Sequence, residues 1–178
     1  MHILEHGQGQ EKTLLFLPCT AEPVWAFEKT VALLAQSWHV FQVVYDGHEP
    51  SYPGDFTSVE QTVDEITDYL RAQGVTCLDA AYGCSLGGAC LTRLLALGEL
   101  PVKRAIIDGG ITHAGVAERV CAQMHVHVPI FGMVKDDRHR TRALVTAQGR
   151  EIDLHAAPNV FALIGQIQEE THRFAITF

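Results

Sequence analysis

Tyr82-Gly83-Cys84-Ser85-Leu86-Gly87-Gly88 is the stretch from which the rest of the chain can be placed. It fits G-x-S-x-G, a sharp strand-to-helix turn that lifts a serine above the edge of a sheet. Glycines two residues to either side are required because a Cβ there would collide within the turn. The context agrees: Cys77 to Tyr82 reads as a strand, and Leu86 to Leu97 as a helix with Gly98 at its end. In such a turn the Leu86 N–H opens a helix and points at a developing oxyanion.

Working outward, strand and helix patterns alternate. Thr13 to Leu17 is an apolar run closed by Pro18, and Val24 to Gln36 keeps helical spacing. Trp38 to Val44 is strand-like, and Tyr45 to Asp55 is a loop broken by Gly47, Pro50, Pro53 and Gly54. Ser58 and Gln61 form a capping box ahead of a helix that stops at Gly74, and Arg104 to Ile107 is a further strand. Alternation of this kind predicts an α/β fold, a mainly parallel sheet flanked by helices. Beyond it, Val116 to Met124 reads as helix and Val128 to Val134 as strand. Thr141 to Thr146 and Arg150 to Leu154 read as a hairpin across Gln148-Gly149, and Pro158 opens a final amphipathic helix. His125 and His127 alternate with valines and are expected on one strand face.

Composition narrows the function classes. The chain has 178 residues, 47% hydrophobic and 19% charged, with a net charge of −8, which excludes disorder and a generally basic nucleic-acid-binding surface. The charge is uneven. Residues 1–112 hold 6 basic and 14 acidic residues, whereas residues 113–178 hold 7 of each and 6 of the 10 histidines. The first residues lack the apolar core of a secretory signal, and no run is long enough to span a bilayer. The five cysteines (Cys19, Cys77, Cys84, Cys90, Cys121) include no C-x-x-C pair. Reduced thiols, a cytoplasmic location and no membrane partner are the expectation.

The LLFLP strand, Trp25-Ala26-Phe27-Glu28, Tyr45-Asp46-Gly47-His48, the elbow and Arg104 to Gly110 together resemble the N-terminal half of an α/β-hydrolase. That resemblance implies a serine hydrolase acting on a small acyl compound without a cofactor. It makes Ser85 the nucleophile and gives the second oxyanion donor to the loop after the first apolar strand. Pro18 has no N–H to give, which leaves Cys19 or Thr20. The family's order, serine then acid then histidine, places the acid at Asp136 or Asp137, after the Val128 to Val134 strand, and the base at His155 or His172.

From Ile106 onward the text resembles another family, UvrC, the nuclease subunit of bacterial excision repair. The matching words are Ile107-Asp108-Gly109-Gly110, Val128 to Lys135, Asp136 to Arg142, and Gln166 to Ile176. The resemblance implies the later part of an RNase-H-like nuclease domain. Asp108 is then a carboxylate for a divalent metal, Mg or Mn, His172 a catalytic residue, and DNA and excision-repair subunits the partners. Lys135, Arg138, Arg140 and Arg142 read either as phosphate contacts or as a solvated loop. The two resemblances divide the chain into 1–112 and 113–178, with a junction at 107–113. Three readings follow: a serine acyl hydrolase, a fragment of a DNA-repair endonuclease, and a non-catalytic α/β domain.

Overall fold

The computed structural model describes residues 1–135 and 141–153, with Lys135, Thr141, Arg142 and Asp153 described by backbone alone. Asp136, Asp137, Arg138, Arg140, His155 and His172 lie outside the described residues, as does the helix expected after Pro158. The described chain runs β1 (His2–His6), β2 (Thr13–Leu17), α1 (Glu28–Leu34), β3 (His39–Val44), α2 (Val59–Ala72) and β4 (Ala80–Cys84). It continues through α3 (Leu86–Leu97), β5 (Ala105–Asp108), α4 (Gly110–Gln123), β6 (Ile130–Lys135), β7 (Thr141–Thr146) and β8 (Glu151–Asp153).

All eight strands join one sheet in the order β1-β3-β2-β4-β5-β6-β7-β8. The five central strands, β3, β2, β4, β5 and β6, are parallel. β1 adds antiparallel at one edge, and β7 and β8 add antiparallel at the other. The α/β expectation therefore holds, and the sheet passes without a break across residue 112.

Alternation along the central strands explains why both faces must be covered. Leu15 and Leu17 of β2 join Phe41 and Val43 of β3 on one face, under Ile66 and Leu70 of α2, Leu91 and Leu94 of α3, and Ala117 of α4. Leu14 and Phe16 point the other way, with Val40 and Tyr82, against Phe27, Val31 and Leu34. Strands buried on both faces read as continuous apolar runs, which is why the first one was so legible. Phe16 also stacks on Tyr82 with centroids 5.1 Å apart and meets Phe27 edge-on at 4.9 Å.

Several boundaries differ from expectation. The helix read over Val24 to Gln36 opens as a 3₁₀ turn, Val24–Phe27, and becomes α-helical only at Glu28. The strand read from Cys77 starts at Ala80, because Leu78 is occupied by the segment before β5, accepting from Lys103 N and donating to Pro101 O. β1 went unread, its His2, Glu5 and His6 breaking any apolar alternation. Ser58 Oγ accepts from Gln61 N at 3.1 Å, but the Gln61 side chain turns to Thr57 and Glu65, so only half of the capping box forms. His125 and His127 are not on a strand. The backbone turns at His125 (φ 58°), with Val126 N donating to Cys121 O and His125 N to Ala122 O, and both side chains are exposed before Pro129. That is a Schellman-type helix end, with histidine where glycine is usual.

Leu15, fully buried at the middle of the parallel strands, tests the core. Leu15→Ala is expected to lower unfolding free energy by about 2–5 kcal/mol, measured by urea denaturation with an unchanged m-value.

Candidate active site

β4 is the third strand of the five in the parallel set, and its C-terminal end delivers Ser85 into the turn before α3. Ser85 adopts φ 49° and ψ −112°, a conformation that L-residues rarely occupy, and its side chain is exposed. The strain is held by close packing around the two glycines. A Cβ on Gly87 would strike the Leu17 and Pro18 carbonyls at the end of β2, and one on Gly83 would strike the Gly87 backbone. Any larger residue would push the first turn of α3 off the sheet. The first N–H groups of α3 have no partner within the helix, so its positive end faces the space above Ser85.

The neighbouring strand end supplies a second group. Cys84 and Asp108 are register partners on β4 and β5, so Ser85 and Gly109 stand side by side, about 4.8 Å apart if strand spacing continues. His113, in the first turn of α4, folds back so that its Nδ1 bonds the Gly109 carbonyl. A carbonyl only accepts, so Nδ1 is the donor in this bond and Nε2 is the ring nitrogen it leaves uncommitted. A Cβ on Gly109 would fall on the His113 ring. Ser85, Asp108 and His113 line one cleft of about 660 Å³ between α3 and α4, walled further by Arg93, Val116 and Met124. Sequence reading passed over His113, because the expected chain order sought a histidine far downstream. The signal available was its position four residues after Gly109, the glycine between β5 and α4.

Beneath the turn lies a buried polar cluster. Cys84 Sγ is 2.7 Å from Cys19 Sγ and 3.5 Å from Asp108 Oδ2. The Cys19 N–H, one of the two loop donors considered for an oxyanion, instead donates to Glu22 Oε2 at 2.7 Å. Thr20 is exposed beside it. Burial pushes the Glu22 carboxyl above its usual range, and the charge of Asp108 adds to the shift. The Cys19 thiol is pushed up strongly, first by its bond with Cys84 and then by burial. All five cysteines are free thiols.

Chelation makes a stricter demand on this region. Among the described residues, no group of three or more His, Cys, Asp or Glu side chains is gathered closely enough to hold an ion. Asp108 touches a thiol, and Glu22, the carboxylate whose charge it feels, is bonded to a backbone N–H. These described donors do not fit a divalent-metal nuclease centre, which needs several carboxylates free to face the ion. Two aspartates upstream of Asp108 have structural partners: Asp79 binds Lys103 and the Thr13 N–H, and Asp46 accepts from the Met1 ammonium. Among the described residues, no helix is long and apolar enough to cross a membrane.

Comparison with known proteins gives two results. The UvrC RNase H endonuclease domain matches residues 49–176, reaching back well before residue 106. UvrABC system protein C from Thermoanaerobacter sp. (strain X514) is 53% identical over 72 residues, 40% of this chain and 12% of that protein. The protein of the same name from Caldicellulosiruptor saccharolyticus is 44% identical over 87 residues, 49% of this chain and 14% of its own length. The match thus spans only about an eighth of those relatives. In three dimensions the chain is similar to an α/β hydrolase family protein from Desulfitobacterium hafniense, with TM-score 0.57 and 21% identity over 65% of this chain and 50% of that one. It is also similar to an epoxide hydrolase from Vigna radiata, with TM-score 0.52 and 16% identity over 61% and 34%. At such identities these neighbours establish the fold.

Strain at Ser85 has a measurable consequence. Ser85→Gly is expected to raise unfolding free energy by about 1 kcal/mol, the released strain exceeding the entropic cost of glycine. Ser85→Ala keeps the strain and shows no such gain; urea melts of the three proteins compare them.

Proposed function

We propose that this chain, which belongs to the UvrC RNase H endonuclease domain family, carries a serine-nucleophile acyl hydrolase site at the turn between β4 and α3. The observation that carries the reading is the strained φ of Ser85, held by backbone contacts that only glycine permits at Gly87. Natural proteins keep such strain where function uses it. The chain is read as a hydrolase-like part, 1–112, joined near 107–113 to a UvrC-like part, 113–178, that extends the same sheet.

In this mechanism Ser85 Oγ attacks the acyl carbon of a small ester. With Nδ1 turned to the Gly109 carbonyl, His113 Nε2 takes the hydroxyl proton and later returns it to the leaving alkoxide. The Gly109 carbonyl orients the imidazole, the task a triad acid performs elsewhere. The N–H of Leu86 at the start of α3 stabilises the oxyanion, with Thr20 as the second donor since the Cys19 N–H is engaged by Glu22. Water then cleaves the acyl-enzyme by the same route. No cofactor enters. His155 and His172, with Asp136 or Asp137, form the competing base and acid.

Reaction with a fluorophosphonate probe, read by intact mass, tests the assignment. Ser85→Ala abolishes labelling, and His113→Ala slows it about 10²–10⁴-fold, with partial rescue by added imidazole. Labelling unchanged in Ser85→Ala removes the reading. Slowing in His155→Ala or His172→Ala, but not in His113→Ala, moves the base to the later histidine.

A second reading rests on the family match itself: a DNA-repair endonuclease fragment using Mg or Mn. In it Asp108 is a metal carboxylate, His172 a catalytic residue, and Lys135, Arg138, Arg140 and Arg142 contact DNA phosphate beside the excision-repair subunits. Because Asp108 is bonded to Cys84 and lacks companion ligands among the described residues, nicking of supercoiled DNA with Mg or Mn is expected to be absent. Nicking that Asp108→Ala abolishes would establish this second reading instead.

A further inference from the structure

We propose that Cys19 and Cys84 form a redox-modification site, a dithiol that closes to a disulfide with peroxide as oxidant. The pair stands apart from the hydrolytic mechanism and does not depend on it. Its basis is placement. β2 and β4 are parallel neighbours with Leu17 opposite Gly83, so Cys84, the last residue of β4, and Cys19, two residues past β2, lie one register step apart at the same end of the sheet. A strand spacing of about 4.8 Å combined with one residue step of about 3.3 Å gives a diagonal of about 5.8 Å, within the Cα separation of roughly 4.4–6.8 Å that disulfides use. Pro18 ends the alternation of β2, and Cys19 consequently packs in the same apolar cluster as Cys84. The two thiols are in direct contact, Cys19 Sγ donating to Cys84 Sγ at 2.7 Å.

The two thiols differ in access. Cys19 is half-buried and Cys84 fully buried, so Cys19 meets the oxidant first. Its thiolate attacks one peroxide oxygen; an S–O bond forms, the O–O bond breaks, and the departing hydroxide takes the thiol's proton to become water. The Cys84 sulfur then attacks Cys19, the S–S bond forms, the S–O bond breaks, and the second hydroxide leaves as water with the Cys84 proton. Two thiols lose two electrons and one peroxide becomes two waters. The upward push on the Cys19 thiol keeps it mostly protonated, so sustained exposure to peroxide is needed rather than a trace. Closure ties the loop after β2 to the residue that precedes Ser85.

Reduced full-length protein exposed to hydrogen peroxide, then unfolded and alkylated with N-ethylmaleimide, reports the outcome by mass. The expected result is alkylation falling from five cysteines to three, the loss of two hydrogens, and a Cys19–Cys84 linked peptide under non-reducing digestion. Dithiothreitol restores all five, and Cys19→Ser, altered at the more exposed position, retains all four of its thiols. Five alkylated cysteines after exposure would overturn the proposal. So would a bridge involving Cys77, Cys90 or Cys121, or over-oxidation of a single cysteine without a bridge. The mapping of unsubstituted protein decides the matter even if a serine variant folds poorly.

Discussion

Everything at the functional end of this molecule depends on how closely the first turn of α3 lies against the carbonyls that end β2. Gly87 has no room for a side-chain carbon because Leu17 and Pro18 occupy that space. With the helix pressed so near, the chain between β4 and α3 must turn within one residue, and Ser85 takes up the turn at positive φ. The same approach lays Cys90, Leu91, Leu94 and Leu95 onto the sheet, where all four are buried. One steric constraint therefore fixes the backbone of Ser85, the direction of the helix dipole and the central packing of one face.

The sheet edge turns this constraint into a site. In a parallel sheet all C-terminal ends emerge on one side, so groups from separate strands converge there. Cys19 follows β2, Ser85 follows β4, Asp108 ends β5 and Gly109 follows it. The exposed serine sits above, and the thiols and carboxylates sit below it in apolar surroundings that disfavour charge. Those carboxylates are spent locally: Glu22 on a backbone N–H, Asp108 against a thiol. A metal centre needs carboxylates facing a common point, and these two described ones face their own neighbours.

The strands β6, β7 and β8 continue the sheet beyond β5. β6 pairs parallel to β5 with Ala105 opposite Ile130, and β7 and β8 fold back as hairpins. Met133 and Leu144 from these strands are buried in the same cluster as Phe16 and Tyr82. The apolar alternation of a strand is a generic surface, and β5 accepts any neighbour that presents it.

By itself the sequence determined the class of the fold, the elbow and the ends of α3. Each rests on local rules, namely apolar periodicity, glycine at unavoidable close approaches, and a helix stop at Gly98. The β7–β8 hairpin was equally legible, since Gln148-Gly149 separates two alternating runs. Tertiary structure alone decided that β1 pairs with β3, that His125 caps a helix instead of lying on a strand, and that His113 shares a cleft with Ser85. It alone brought Cys19 against Cys84 and gave the Cys19 N–H to Glu22. These pairings join residues whose relation is set by which strands become neighbours, and strand order is a property of the whole sheet, which no local run of residues encodes.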